Sequence, residues 1–135
     1  MGWKEKLLST GGKETLIKSV IQSIPTYLMS CFLIPKSFCD DLQNYFNKFW
    51  WGDLASKRKI HWHSWNNMAK SKFDGGMGFR NLHCFNLALL AKQGWRLISQ
   101  PDSLCAQVLK AKYFPKNELL QSKPDFAPSY IWRSL

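Results

Sequence analysis

Acid is scarce in this sequence, and the usual catalytic signatures are missing. Aspartate and glutamate total 9 against 19 lysines and arginines, so the net charge is +10. None of the four cysteines, Cys31, Cys39, Cys84 and Cys105, sits in a C-x-x-C pair. His61-x-His63 and His83-Cys84 supply too few ligands at the wrong spacing for a structural metal site. No metal and no cofactor is expected, and the cysteines read as buried, reduced thiols of an intracellular protein. There is no G-x-S-x-G elbow to raise a nucleophile beside a base. Paired carboxylates for two-metal phosphoryl transfer are missing too. Asp40-Asp41 is the one acidic pair, and it reads as charge in the first turn of a helix, where the dipole favours it. Gly11-Gly12-Lys13 lacks the G-x4-G-K-[ST] frame of a phosphate loop. A lysine near a helix N-terminus can still hold a phosphate oxygen, which leaves Lys13 and Lys18 as candidate phosphate contacts. A membrane span needs about 20 mainly apolar residues. The longest uncharged run, between Lys18 and Lys36, is shorter and carries Gln22, Ser23, Pro25, Thr26 and Ser30. A buried helix pair is expected there, with an interfacial segment over 20–34 as the lesser alternative, and no membrane partner. The first residues are charged at once (Lys4, Glu5, Lys6) and show no cleavage-site pattern. Neither an internal repeat nor a low-complexity tract is present.

What is present is ample apolar material. Hydrophobic residues are 45% of 135, and seven tryptophans and nine phenylalanines are many for this length. That supports a core and excludes wholesale disorder. The length is one domain's worth, or a piece of a larger protein. Exposed tryptophans would suit a fragment separated from its packing partner.

Taken in order, 3–8 reads as the end of a helix broken by Gly11-Gly12. A second helix starts near Thr10 or Gly11, with Leu16, Ile17, Val20, Ile21 and Ile24 as one apolar stripe. Pro25 ends or kinks it and suits the first turn of a new helix lined by Tyr27, Leu28, Cys31 and Phe32. After Pro35, a helix from Lys36 or Ser37 to about Trp51 places Phe38, Leu42, Tyr45, Phe46, Phe49 and Trp50 on its apolar side, with Gly52 as its stop. Ile60-His61-Trp62-His63 alternates as a short extended piece would. Ser64 caps a short helix over 65–70. A glycine-rich loop over 73–80 holds three of the eight glycines. The strongest helical pattern follows over 81–100, with Leu82, Phe85, Ala88, Leu89, Trp95 and Ile98 on one face. A helix over 104–114 aligns Leu104, Val108, Ala111 and Phe114. The tail holds Pro115, Pro124 and Pro128 and ends in a helix start at Tyr130. The fold class is therefore all-α: an irregular array of five or more short helices with at most one short β-like stretch.

One constellation rises above background. Between Lys48 and Arg96 there are nine basic residues and two acidic ones, Asp53 and Asp74. Trp50, Trp51, Trp62 and Trp65 are interleaved with Lys57, Arg58, Lys59, Lys70, Lys72 and Arg80. Basic side chains neutralise phosphates and aromatic faces stack on bases. Taken singly, the tryptophans read as core; the basic cluster as a whole reads as a nucleic-acid surface. The glycine loop would bring backbone amides near a phosphate, or would simply let two helices pack.

Ordered motifs along nearly the whole chain resemble a known family. They include Gly11-Gly12-Lys13-x-x-Leu16-Ile17-Lys18, Ile24-Pro25-x-Tyr27-x-Met29-Ser30 and Phe49-Trp50-Trp51-Gly52. Lys59-Ile60-His61-Trp62, Gly75-Gly76-x-Gly78-Phe79, Phe85-Asn86-x-Ala88-Leu89-Leu90-Ala91-Lys92-Gln93-x-Trp95-Arg96 and Ser129-Tyr130-Ile131-Trp132-Arg133 continue them. The chain looks like the segment just after the palm of plant LINE-type (non-LTR) retrotransposon reverse transcriptases. It is also similar to short plant mitochondrial reading frames derived from them. The resemblance implies a thumb or connector that grips template and primer, and missing polymerase domains as structural partners. It does not carry catalysis over, because the Y/F-A-D-D aspartates of the palm are absent here. The expected organisation is a helical connector over 1–114 and, over 115–135, a Pro-containing tail that begins the next module. The expected function is non-specific nucleic-acid binding without enzymatic activity, with Lys57, Arg58, Lys59, Lys70, Lys72 and Arg80 as phosphate contacts. The alternative is a retroelement-derived remnant with no selected function. The compartment is open among nucleus, cytoplasm and mitochondrion.

Overall fold

The computed structural model describes residues 8–52, 59–116 and 129–135. Among them lie seven α-helices and no strand. They are α1 (Thr10–Leu16), α2 (Thr26–Cys31), α3 (Lys36–Trp51), α4 (Trp65–Met68), α5 (Leu82–Ser99), α6 (Leu104–Tyr113) and α7 (Tyr130–Ser134). The all-α expectation holds. The Ile60-His61-Trp62-His63 stretch forms no strand and runs as irregular chain into the Ser64 cap. The expected helix end over 3–8 lies mostly outside the described residues.

Local chemistry sets the helix ends. Ser9, Ser64, Ser103 and Ser129 each accept a backbone N–H of the first turn of the helix that follows, which satisfies a donor the helix cannot pair itself. Gly52 ends α3 in the left-handed region at φ 73°, where a side chain would be strained. Asp40 and Asp41 fall beyond the first turn of α3, because the helix already starts at Lys36. They therefore do not serve its N-terminus as expected.

The chain divides into two compact units, Met1–Tyr27 with Ile34–Phe85, and Leu28–Leu33 with Asn86–Leu135. In the first, α1 passes into a π-helical turn, Ile17–Ile21, closed by Gln22 N–H donating to the Ile17 carbonyl at 2.9 Å. The wider turn shifts the register. Ile17 is buried, whereas Val20 and Ile24 of the expected stripe stand exposed. The core here comprises Ile17, Cys39, Phe46, Trp65, Met68, Phe79 and Leu82. Trp65 lies parallel to Phe79 with ring centres 5.0 Å apart, and Phe46 packs on it at 5.9 Å. Its indole N–H donates to the Arg80 carbonyl at 3.2 Å. On α3 the buried positions are Cys39, Gln43 and Phe46, while Phe38 and Tyr45 are exposed. The helix is rotated from the expected face because Gln43 Oε1 is needed inside, accepting the Leu82 N–H at 2.9 Å at the start of α5.

In the second unit, Met29, Asn86, Leu90 and Ala106 are buried. Asn86 is 0% exposed, and its amide donates to the Met29 carbonyl at 2.6 Å and the Phe32 carbonyl at 2.9 Å. Those carbonyls lie around the C-terminal end of α2, where helix acceptors lack partners. The buried line of α5 is accordingly Leu82, Asn86 and Leu90, and Ala88, Trp95 and Ile98 are exposed. On α6 the buried residue is Ala106, while Leu104, Val108 and Ala111 are exposed. Tyr130 donates its hydroxyl to the Leu33 carbonyl at 2.9 Å, and Trp132 stacks on Tyr113 at 4.8 Å and Phe114 at 5.5 Å. The Ser129 N–H donates to the Tyr113 hydroxyl, and Ser129, through its side chain first and then this backbone bond, holds the phenol below its ordinary pKa. Of the cysteines, Cys39 is buried, and burial followed by the nearby Asp40 charge raises its thiol. Cys84 and Cys105 are exposed, against the expectation of four buried thiols, because each lies off the buried line of its helix.

Candidate nucleic-acid interface

The glycine loop closes on itself. Gly75, at φ 79°, ends a 3-10 turn over Lys72–Asp74. Gly76 N–H donates to the Ser71 carbonyl, Met77 N–H to Met68, Gly78 N–H to Lys70 and Phe79 N–H to Met68. With its amides engaged in this way, the loop does not present them to a phosphate, and of the two readings the sequence left open it is packing that the loop serves. A Cβ on Gly76 would collide with the Lys70 carbonyl, so this glycine exists for close backbone approach. The loop's work is to deliver Phe79 between Trp65 and Trp50, whose ring meets Phe79 edge-on at 5.4 Å.

The expected basic residues separate into groups. Lys57 and Arg58 lie outside the described residues. Lys18 and Lys72 meet at one carboxylate: their ammonium groups lie 2.7 and 2.9 Å from Glu14 Oε1. Lys18, then Lys72, holds the Glu14 carboxyl down to about 2 from an ordinary 4.5. Lys18 also lies 5.7 Å over the Phe79 ring. Arg80 stacks its guanidinium on Phe85 at 4.5 Å. Lys70 is exposed. Lys13 and Lys59 converge on the C-terminal end of α3: a side chain starting at Gly52 would come within 3.5 Å of the Lys13 ammonium and 3.1 Å of that of Lys59. The carbonyl end of a helix attracts cations, which accounts for their meeting there.

Beside that pair lies a cleft of about 420 Å³, bounded by Lys13, Trp50, Trp51, His63, Asn67 and the glycine loop at Gly75 and Gly76. Trp51 is held in place. Its indole N–H donates to Asn47 Oδ1 at 2.9 Å, and its ring stacks with His61 at 6.0 Å and 17°. Trp50 and Trp51 are half-buried, Trp65 is buried, and Trp62 is 73% exposed. Sequence reasoning therefore had Trp65 right as core and undervalued Trp51 as an anchored, accessible ring. It did not bring Glu14 into the site. The i to i+4 spacing to Lys18 was visible, but the approach of Lys72 depends on the fold. Asn67 carried no signal of its own, and His63 was weighed only as a metal ligand. Among the described residues no group of three His, Cys, Asp or Glu could hold a metal ion, and no helix is long and apolar enough to cross a membrane.

An uncharacterised mitochondrial protein of Arabidopsis thaliana is 45% identical over 114 residues, covering 84% of this chain and 74% of that protein. The chain belongs to its family. A second Arabidopsis thaliana protein, named provisionally as a ribonuclease H protein, is 39% identical over 137 residues, or 99% of this chain. That match covers 22% of the second protein, so the family's segment also occurs as a small part of a much longer chain. No family profile matches the chain, and no solved structure does. The expected kinship with short plant mitochondrial reading frames is met in the first relative.

Proposed function

We propose that the chain is a non-catalytic piece of a LINE-type retrotransposon reverse transcriptase, the thumb or connector beyond the palm, and that its first unit grips a nucleic-acid backbone without sequence preference. The observation that carries this is the convergence of Lys13 and Lys59 beside the half-buried indoles of Trp50 and Trp51. Ammonium groups neutralise phosphate and release its counterions, and indole faces accept bases of any identity. Lys70 and Arg80 add charge, as do Lys57 and Arg58 in sequence. Lys18 and Lys72 contribute only when phosphate displaces Glu14. The longer relative's name points to RNA as its substrate class, which supports a retroelement origin for the shared segment. In this reading 1–114 is the connector and 115–135 begins the next module. The exposed apolar side chains, Trp95 at 69% and Leu104 at 78% among them, are where the remaining polymerase domains pack.

The same exposed side chains favour a second reading, a retroelement-derived remnant with no selected function. Filter binding of an RNA–DNA hybrid to the intact chain and to a Lys13→Gln, Lys59→Gln variant separates the two. The proposed function predicts that the double variant loses about tenfold in affinity on every sequence tried. Equal binding by both proteins would remove this surface from the account.

A further inference from the structure

We propose that the cleft between Trp51 and the glycine loop receives the base of an unpaired nucleotide, so that the protein prefers single strands to duplex. The inference rests on the nucleic-acid reading above and adds the form of the ligand. The cleft's volume of about 420 Å³ lies within the range of small-molecule sites, about 300–1,000 Å³. Its surroundings combine the three features a nucleotide needs. Trp51 supplies a flat ring, fixed by the Asn47 hydrogen bond and the His61 stack, so little side-chain freedom is lost when a base lies on it. Asn67 and His63 supply hydrogen-bonding groups at the wall. Lys13 borders the same cleft and makes no ion pair among the described residues, which leaves its charge for the phosphate attached to that base. Gly75 and Gly76 carry no side chain that would fill the space, and Gly76 cannot acquire one. A paired base is held in its helix and cannot enter such a cleft without being extruded. Stacking on a fixed ring, by contrast, is open to any unpaired base.

The test compares three labelled probes on the intact chain at low salt: a 12-nucleotide single strand, its duplex, and the same strand with abasic sugars at its central positions. The single strand is expected to bind about tenfold more tightly than the abasic strand, and the duplex to follow the abasic strand. Trp51→Leu should bring the intact strand down to the abasic level, while Trp95→Leu, on α5 and outside the cleft, should not. If Trp51→Leu fails to fold by circular dichroism, the abasic comparison on the wild type decides alone. Equal binding of intact and abasic strands would overturn the cleft proposal and leave the backbone-binding reading standing. Binding of none of the three would overturn both. Adenosine monophosphate is the last probe. If it binds while the strands do not, the cleft takes a free nucleotide and the proposal is wrong.

Discussion

Glu14 governs how much of the basic surface can meet an anion. Its carboxylate takes up both Lys18 and Lys72, so three charges behave as one. Its folded carboxyl titrates near 2 and an ordinary one near 4.5. The stabilisation it brings is therefore complete at neutral pH, fades as the pH falls below about 4.5 and is gone near 2. Carbon-detected NMR titration of the side-chain carboxyl should show that depressed midpoint. Glu14→Gln should cost little stability, about 0–1 kcal/mol for so accessible a pair, and should strengthen nucleic-acid binding. It frees two ammonium groups, so the slope of log affinity against log salt on a single strand should steepen by about 1.4. An unchanged slope would show that Lys18 and Lys72 do not face the strand. Asn86 plays the opposite kind of part. It is polar and fully buried, and it answers two carbonyls around the end of α2. Asn86→Ala should cost about 1–3 kcal/mol, read as a lower urea midpoint at unchanged slope.

At the scale of elements, helix ends were readable in the sequence and helix faces were not. Pro35, Ser64, Asn81 and Gly52 act through bonds to residues within four positions, so each announces itself locally. Asn81, for example, accepts the Cys84 N–H at 3.1 Å just inside α5. Which side of a helix is buried depends on partners far along the chain. Gln43 is buried because Leu82 needs an acceptor, and that turns Phe38 and Tyr45 outward. The π-helical turn had the same effect on Val20 and Ile24, since no spacing rule foretells an extra residue in a turn. Gly52 joins an element to the site: it stops α3 and sets the place where Lys13 and Lys59 meet. Gly52→Ala forces a side chain into the left-handed region and against two ammonium groups. It should cost about 1–2 kcal/mol in thermal unfolding and weaken nucleic-acid binding. Loss of stability with unaltered binding would separate the lysine pair from function.

For the molecule as a whole, the broad outline was legible: helices and no strand among the described residues, a basic chain, and kinship with short plant mitochondrial frames. The candidate site was legible in part. The sequence put lysines and tryptophans in one block, but it took the fold to bring Lys13 beside Trp51 from far upstream and to withdraw Lys18 and Lys72 into an ion trio. The glycine loop proved to be a device for seating Phe79. Salt dependence tests the proposed grip on nucleic acid most directly. Lys13, Lys59, Lys70 and Arg80 each neutralising one phosphate predict a slope of about −3 in log affinity against log salt on a single strand, between about 50 and 200 mM. A slope of that size, the same for unrelated sequences, is the predicted result. No measurable binding at the lowest salt, or binding indifferent to salt, would contradict it.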